Sequence, residues 1–167
     1  LIISYGALGV FLKENRIEFL NRFEGIPYVI LEDEAEEGKG SSLIANNYEG
    51  MRENVEHLVT GHGYKHILYL SGPRDNRDAM ERKQAFLDVM RSNGLPVTDV
   101  QIAYGDYTRY VEKQVQTLLD NNPGAQALVC ANDEMAFTSY EVCKQRGLRV
   151  GKDIAITGFD DVEMARL

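Results

Sequence analysis

Short apolar runs alternate with longer amphipathic stretches along the chain from residue 64 onward. Four such runs occupy residues 66–70, 100–104, 127–130 and 153–157. Most of them are apolar on both faces, which is typical of strands buried between two layers of helices. Strands that alternate with helices of this length predict right-handed βαβ crossovers and a parallel sheet.

The stretches between these runs carry apolar residues at the spacing of one helix face. The predicted stripes are Val111, Val115 and Leu118 in one helix, Met135, Ser139 and Val142 in another, and Met51, Val55, Leu58 and Val59 in a third. The third helix is expected to end near Gly61, with that glycine as a left-handed cap.

The first 45 residues follow a less regular pattern. Residues 1–6 are typical of a core strand that starts in mid-fold, and a helix is predicted near residues 15–22. Pro27 introduces a predicted strand at residues 28–31. The acidic stretch at residues 32–42 contains glycine and serine and has no periodicity. It therefore predicts a solvated loop in preference to a metal site built on its carboxylates.

The charge of the chain limits what it can bind on its own. Its 18 basic residues stand against 26 acidic ones, a net charge of −8. A surface that follows nucleic acid phosphates needs clustered lysine and arginine, so any DNA contact is expected to come from a domain outside this segment. No apolar run is long enough to span a bilayer, and the first residues lack the basic flank of a signal peptide. We therefore expect no membrane contact and a cytoplasmic protein, with Cys130 and Cys143 as buried reduced thiols.

Small, polar or aromatic residues follow each of the four predicted strands. They are Ser71-Gly72-Pro73-Arg74-Asp75-Asn76, Gly105-Asp106-Tyr107, Asn132-Asp133 and Gly158-Phe159-Asp160-Asp161. Ligands of open parallel sheets bind beyond the carboxyl ends of the strands. A purely structural domain also needs turn residues there, so each motif alone is weak. The four together predict a ligand site at this rim.

Arg82 is the most informative residue near the rim. It lies in a helix predicted around residues 78–91, and three apolar residues share its helix face: Ala79, Phe86 and Val89. A buried unpaired charge costs several kcal/mol, so this arginine needs acceptors. Two interpretations stay open, a structural ion pair with Asp160 or Asp133 and a two-pronged donor to ligand hydroxyls or a carboxylate.

Three other rim residues also have a structural and a functional interpretation. Tyr107 either covers the sheet edge or offers a flat ring to a sugar face or a purine. Asp160 either accepts hydrogen bonds from a pair of ligand hydroxyls or caps the next element. Asn132 and Asp133 carry the same capping alternative, and one of them is expected to cap the following helix.

Motifs of the common catalytic sites are missing from the sequence. It contains no Walker A loop, no complete dinucleotide fingerprint, no Gly-x-Ser-x-Gly elbow and no zinc-binding His-Glu-x-x-His. An alternative of another class uses Asp160 and Asp161, with Asp133, to hold Mg²⁺ in a carboxylate-site enzyme or a receiver domain. No suitable lysine accompanies them. We therefore predict that the chain is not an enzyme and uses no cofactor and no metal.

Five stretches, taken in order, resemble the effector-binding core of the lac-repressor (LacI/GalR) family. They are Gly-Ile-Pro-Tyr-Val-Ile-Leu at 25–31; Asn-Asn-Tyr-Glu-Gly at 46–50 with His57-Leu58 and Gly61-His62; Gly72-Pro73 with Arg-Lys-Gln-Ala-Phe at 82–86; Ala-Asn-Asp-Glu-Met-Ala at 131–136 with Gly-Leu-Arg-Val at 147–150; and Asp-Ile-Ala-Ile-Thr-Gly-Phe-Asp-Asp at 153–161. The last two stretches are specific when they occur together. The resemblance covers essentially the whole chain.

This resemblance implies a two-lobed α/β fold of the periplasmic-binding-protein-like type I class. Parallel sheets flanked by helices then form two lobes, and the ligand binds in the cleft between them. Residues 1–45 would be the C-terminal part of the first lobe, and residues 46–167 most of the second. The fold is accordingly expected to be incomplete at both ends.

The resemblance also assigns roles to single residues. Arg82 matches the family's central ligand arginine, Asn132 and Asp160 match polar pocket positions, and Tyr107 matches the aromatic residue that stacks on the ligand. Three positions depart from the usual pattern: Glu32, Asn46 and Ala85. These departures bear on the identity of the ligand more than on the fold.

The function implied is that of a ligand sensor in a homodimeric transcription regulator. An effector with hydroxyls and a ring face, such as a sugar or polyol, suits the set of arginine, amide, carboxylate and aromatic groups, with a nucleobase as second choice. DNA would be bound through a separate N-terminal domain. The alternative output is a histidine kinase or a diguanylate cyclase, since residues 72–82 also resemble sensor domains of multidomain signalling proteins.

Overall fold

Two compact units, Leu1–Asn46 and Asn47–Leu167, make up the chain in the computed structural model. The structure describes residues 1–4, 15–35 and 38–166. Each unit has its own sheet and its own buried core.

The first unit contains a three-stranded parallel sheet in the order β1-β2-β3. Its elements are β1 (Ile2–Ser4), helix α1 (Arg16–Asn21), β2 (Val29–Leu31) and β3 (Ser41–Leu43). Ile3 pairs with Ile30 in the middle of the sheet, and both side chains are buried. The predicted helix near residues 15–22 and the strand after Pro27 are confirmed. The predicted strand at residues 1–6 is confirmed over Ile2–Ser4, and residues 5–6 lie outside the described residues.

Strand β3 shows that the prediction of a continuous loop over residues 32–42 was wrong at its end. Ser41 and Ser42 pair with β2 as an edge strand, and Ser42 lies opposite Ile30. All residues of β3 are exposed, so no alternation of apolar and polar positions marks this strand in the sequence. Residues 36–37 of the predicted loop lie outside the described residues.

The second unit is built on a four-stranded sheet in the order β5-β4-β6-β7, in which every pair is parallel. Its strands are β4 (Ile67–Ser71), β5 (Ile102–Tyr104), β6 (Ala127–Cys130) and β7 (Ala155–Thr157). Its helices are α2 (Asn47–Glu56), α3 (Arg77–Ser92), α4 (Glu112–Asn121) and α5 (Asp133–Gln145). Every residue of β4 and β6 is buried, as expected of central strands covered on both faces. The predicted α/β class with parallel sheets and flanking helices is confirmed.

The predicted helix stripes face the core of this unit. The buried stripe residues of α4 and α5 and of the segment before α4 are Val111, Val115, Leu118, Met135, Ser139 and Val142. In α3, Phe86 stacks on Tyr69 of β4, with ring centroids 4.7 Å apart and planes at 17°. This contact holds α3 on the sheet and places Arg82 one turn nearer to the start of the helix. None of the described helices is long and apolar enough to cross a membrane.

The end of α2 is confirmed, but its predicted cap is wrong. A wide helical turn over His57–Gly61 continues α2 to the expected end. Gly61 is not among the residues with positive φ, whereas Gly63 is, at 69°. Tyr64 N donates to Leu58 O at 3.1 Å, so the helix closes around Gly63 through a bond one residue wider than that of a Schellman cap.

Strands β5 and β7 both begin two residues later than predicted. At the predicted strand 100–104, a 3-10 turn over Asp99–Gln101 replaces the first two strand residues, because Thr98 and Gln101 form a capping box. At the predicted strand 153–157, Ile154 makes only an isolated bridge to Val150. The apolar pattern marks burial at these positions, and the local hydrogen bonds decide where the strand begins.

Both cysteines are buried free thiols, as predicted. Cys130 Sγ lies 3.3 Å from Ser139 Oγ of α5. Burial raises the pKa of the Cys130 thiol to about 12, so the thiol is protonated at neutral pH. Cys130 and Cys143 therefore act as small apolar core residues.

Candidate functional site

The four predicted site residues lie together at the carboxyl edge of the second sheet, where the parallel strands β4 to β7 all end. The Arg82 guanidinium carbon is 5.7 Å from the centroid of the Tyr107 ring, and its Nη1 is 3.4 Å from Asp160 Oδ1. Asn132 Nδ2 donates to Tyr107 O at 3.0 Å. The four residues are far apart in the sequence, and the fold brings them together in one small region.

Arg82 projects from the second turn of α3 and is only 7% exposed. Its Nε donates to Asn47 Oδ1 at 2.8 Å, and its Nη1 donates to Ala131 O at 2.6 Å. The same Nη1 faces Asp160. These contacts hold the guanidinium in one orientation, while Nη2 makes no hydrogen bond to any described residue.

An aromatic ring packs on the guanidinium. The Cζ atom of Arg82 lies 3.9 Å from the centroid of Phe159, at a distance typical of a cation–π contact. Phe159 follows β7 directly before Asp160. The sequence contains this residue in the Gly-Phe-Asp-Asp motif, but no spacing rule indicates that its ring turns toward Arg82.

Asp160 is a partly exposed acceptor on a strained backbone. Its side chain is 41% exposed, and the φ angles of Asp160 and Asp161 are 107° and 53°. Non-glycine residues seldom adopt such angles, and strain of this kind clusters at functional sites. Burial raises the pKa of the Asp160 carboxyl above its usual range, and the nearby Arg82 opposes this shift. Asp160 does not directly precede the next helical turn, Glu163–Arg166, as a cap would.

Tyr107 also has a positive φ, at 67°. Its hydroxyl donates to Asn76 Oδ1 at 3.3 Å, and the same oxygen accepts from Ala79 N as the cap of α3. The ring passes over Gly72, where a Cβ atom would lie 2.4 Å from the ring carbon Cζ. Burial raises the pKa of Tyr107 to about 12, so its hydroxyl keeps the proton that it donates.

Asn132 has the capping role that was one of its two interpretations. Its Oδ1 accepts from Met135 N at 3.0 Å at the start of α5, and its Nδ2 donates to Tyr107 O. The amide therefore ties the loop after β5 to the helix after β6. A direct contact between Asn132 and a ligand stays a prediction.

Asp133 is hydrogen-bonded to the loop after β7 and does not pair with Arg82. Its Oδ2 accepts from Val162 N at 3.0 Å, and its own N–H donates to Phe159 O at 2.9 Å. Asp161 is paired with Arg166. Among the residues that the structure describes, no group of three histidine, cysteine or carboxylate side chains could hold a metal ion. The arrangement does not favour the Mg²⁺ alternative built on these carboxylates.

Asn47 is the partner of Arg82 that sequence reasoning did not single out. It is 1% exposed, and its Oδ1 accepts from Arg82 while its Nδ2 is buried without a hydrogen-bond partner among the described residues. The signal in the sequence was the Asn-Asn-Tyr-Glu-Gly stretch that opens α2. This stretch indicated a family motif and not a contact with α3.

Residues 55–167 match the periplasmic binding protein-like domain, which is more than half of the chain. The chain belongs to this family. The lac-repressor resemblance is also confirmed, because curated relatives and structural neighbours of this periplasmic binding protein-like domain are regulators of the LacI family.

Three relatives illustrate the match. The probable HTH-type transcriptional repressor ExuR of Bacillus subtilis is 27% identical over 154 residues, which are 89% of the chain and 45% of ExuR. A regulatory protein of the LacI family from Chloroflexus aggregans is 30% identical with a TM-score of 0.78, over 92% of the chain and 55% of that protein. The complex of the regulator CelR with cellobiose is 28% identical with a TM-score of 0.72, over 82% of the chain and 42% of CelR. The chain thus spans about half the length of the curated relatives it matches.

Proposed function

We propose that this periplasmic binding protein-like domain is the effector-binding part of a transcription regulator, and that its effector is a sugar or a related polyol. The observation that carries the proposal is the fixed Arg82 guanidinium beside the Asp160 carboxylate. Curated relatives are HTH-type transcriptional repressors and regulators. One structural relative is a complex with cellobiose, which supports a sugar as the ligand class.

The chemistry of the rim suits vicinal hydroxyls. The Arg82 guanidinium can donate to the oxygen of one hydroxyl, and the Asp160 carboxylate can accept the proton of the next. Such charge-assisted hydrogen bonds are stronger than those between neutral groups. The rings of Phe159 and Tyr107 flank the guanidinium and offer apolar faces to the C–H side of a sugar ring. Arg82 and Asp160 would thus fix the orientation of the sugar, while the rings exclude water.

The two units correspond in this proposal to parts of two lobes. Residues 1–45 would be the end of the first lobe and residues 46–167 most of the second, and the rim that carries Arg82 and Asp160 belongs to the second. Binding of the effector would change the affinity for DNA through a domain outside this chain. HTH-type regulators as relatives support this output over a kinase or a cyclase.

Binding and not catalysis is the role that we assign to the rim carboxylates. Asp160 faces Arg82, Asp161 pairs with Arg166, and Asp133 accepts a backbone N–H, so each already has a partner in the protein. The relatives are transcriptional regulators and not enzymes. A transcription regulator has to reach the DNA inside the cell, and this supports a cytoplasmic location for the protein.

Titration calorimetry of the full chain with cellobiose, ribose, adenosine and Mg²⁺ tests the proposal, and the pH dependence tests the part played by Asp160. A sugar is expected to bind at pH 7, where the carboxylate is ionised. Affinity should fall as the pH drops through the pKa of Asp160, because the protonated group accepts hydrogen bonds less well. That pKa is raised, so the fall should begin above the pH at which an ordinary aspartate, of pKa about 3.9, is half protonated.

Asp160→Asn should bind sugar at least about tenfold more weakly, at a level that no longer depends on pH in this range. Asp161→Asn is the matched control and should keep the wild-type pH profile, since Asp161 pairs with Arg166 on the exposed side. If adenosine binds and neither sugar does, the proposed effector is a nucleobase and not a sugar. A response to Mg²⁺ alone would contradict the proposal and favour a carboxylate site.

A homodimer is part of the proposal, because helix-turn-helix regulators bind paired half-sites as dimers. A candidate surface surrounds Arg109, which forms a salt bridge with Glu134 and contacts the Phe137 ring and Met164 Sδ. Tyr110 and Tyr140 belong to the same surface and are 88% and 51% exposed. Large exposed aromatic residues are enriched at protein interfaces.

Tyr140→Asp is expected to weaken self-association by about 30-fold, as for a central aromatic contact of about 2 kcal/mol. Sedimentation equilibrium of the full chain measures this. Val100→Asp changes a similarly exposed residue, outside this surface, and should leave association unchanged. A chain that is monomeric at every concentration, or a Tyr140→Asp variant that associates normally, would remove this surface from the proposal.

A further inference from the structure

A second cavity lies on the other side of the β4–α3 loop from Tyr107. It has a volume of about 180 Å³ and lies between the end of β4, the loop after it, the start of α3 and the end of β5. Its lining residues are Ser71, Pro73, Arg74, Ala79, Met80, Lys83 and Tyr104. Gly72, between Ser71 and Pro73, lies against the Tyr107 ring. Since successive side chains of an extended segment point to opposite sides, the cavity and the Tyr107 ring are separated by the backbone of this loop.

Two cations meet at this cavity on a single aromatic ring. The Arg74 guanidinium carbon lies 3.5 Å from the centroid of Tyr104. Lys83 Nζ donates to Tyr104 Oη at 2.7 Å and is 5.1 Å from the same centroid. Neither cation forms an ion pair within the described part of the chain, although the chain as a whole carries a net charge of −8. Two like charges on one ring repel each other, and a bound anion would relieve this repulsion.

The lining contains further donors and no carboxylate. Ser71 is 2% exposed, and its hydroxyl has no hydrogen-bond partner among the described residues. Tyr104 accepts from Lys83 and still has its own proton to donate. The acidic residues in the first turns of α3, Asp78 and Glu81, fall on the helix face opposite to Lys83 by their spacing. The polar part of the lining therefore consists of groups that attract and bond an anion, and Pro73, Ala79 and Met80 supply the apolar part.

We propose that this cavity is an anion site, distinct from the effector site, which binds a phosphate or carboxylate group. The Arg74 fork and the Lys83 ammonium supply the charge, and the Ser71 and Tyr104 hydroxyls supply neutral donors. Arg74 lies two residues before Asn76, which caps α3 and accepts from Tyr107. An anion held by Arg74 would restrain this loop and so the position of the Tyr107 ring. The site itself does not depend on the proposed sugar function.

Backbone amide NMR of the full chain during titration with sodium phosphate tests the site, with sodium chloride at equal ionic strength as reference. Phosphate is expected to cause saturable shifts at the amides of residues 71, 72, 74, 83 and 104. The double variant Arg74→Ala/Lys83→Met should weaken phosphate at least tenfold, because two charge-assisted bonds are lost. The control Arg91→Ala/Lys113→Met removes an exposed arginine and an exposed lysine elsewhere and should keep wild-type affinity.

Tyr104→Phe keeps the ring and removes one donor, so it should weaken phosphate by about fivefold even if the double variant fails to fold. Acetate and glucose 6-phosphate in parallel titrations separate a small free anion from the anionic group of a larger metabolite. The site is contradicted by equal shifts with chloride or by phosphate affinity unchanged in Arg74→Ala/Lys83→Met and Tyr104→Phe. Shifts confined to the surroundings of Arg82 and Asp160 would contradict it as well.

Discussion

An Arg82→Ala variant is expected to lose measurable sugar binding and about 3 kcal/mol of folding free energy. The change removes the donors of Asn47 Oδ1 and Ala131 O, which lie 2.8 and 2.6 Å from the guanidinium. Each buried polar group left without a partner costs about 1–3 kcal/mol. It also removes the cation that faces Asp160, so the charged donor and the oriented acceptor for sugar hydroxyls are lost together.

Calorimetric affinity and urea unfolding of the same samples separate these two effects. Arg82→Lys keeps the positive charge but cannot make both bonds, so it should fold and bind sugar about 100-fold more weakly. Arg91→Ala changes an exposed arginine later in α3 and should affect neither quantity by more than about 0.5 kcal/mol. Wild-type sugar affinity in Arg82→Lys and Arg82→Ala would show that Arg82 has a structural role alone.

Phe86→Ala is expected to cost about 3–5 kcal/mol of stability. Phe86 and Tyr69 are both fully buried and stack at 4.7 Å. Removing the ring leaves a cavity under α3 beside the Tyr69 hydroxyl, which is buried without a partner among the described residues. Because α3 carries Arg82 one turn away, a looser helix should also weaken sugar binding.

Urea denaturation with a two-state fit measures this loss. Phe86→Leu retains most of the apolar volume and should cost less than half as much as Phe86→Ala. Leu87→Ala, at the neighbouring half-buried position, should also cost less, because less of that side chain is packed. A Phe86→Ala variant within about 1 kcal/mol of the wild type would mean that the α3–β4 stack does not hold the helix in place.

The α/β pattern of the second unit was predictable because its causes are local. Runs that are apolar on both faces, such as residues 66–70 and 127–130, become central strands only when helices cover both sides. The helical stripe of α3 likewise predicted that Arg82 is buried. Strand β3 was missed for the opposite reason, since its exposed serines pair through the backbone and leave no side-chain pattern.

The candidate site was predictable only in part. Parallel strands bring their carboxyl ends to one edge, so the positions of Tyr107, Asn132 and Asp160 near Arg82 followed from the topology. The acceptors of Arg82 did not, because Asn47 and Ala131 lie 35 and 49 residues away in the sequence. Whether these residues bind an effector stays a prediction that the variants above address.

Hydrophobic periodicity in the sequence was enough to predict the helices and strands of the second unit and their parallel sheet. It also predicted that a charged side chain, Arg82, lies on the buried face of α3. The contact of Phe159 with Arg82 and the contacts of Arg74 and Lys83 with Tyr104 are visible only in the folded chain. The physical reason is that hydrophobic periodicity is a property of neighbours along the chain. The partner of a polar side chain is set by whichever loop the packing brings within about 3 Å of it.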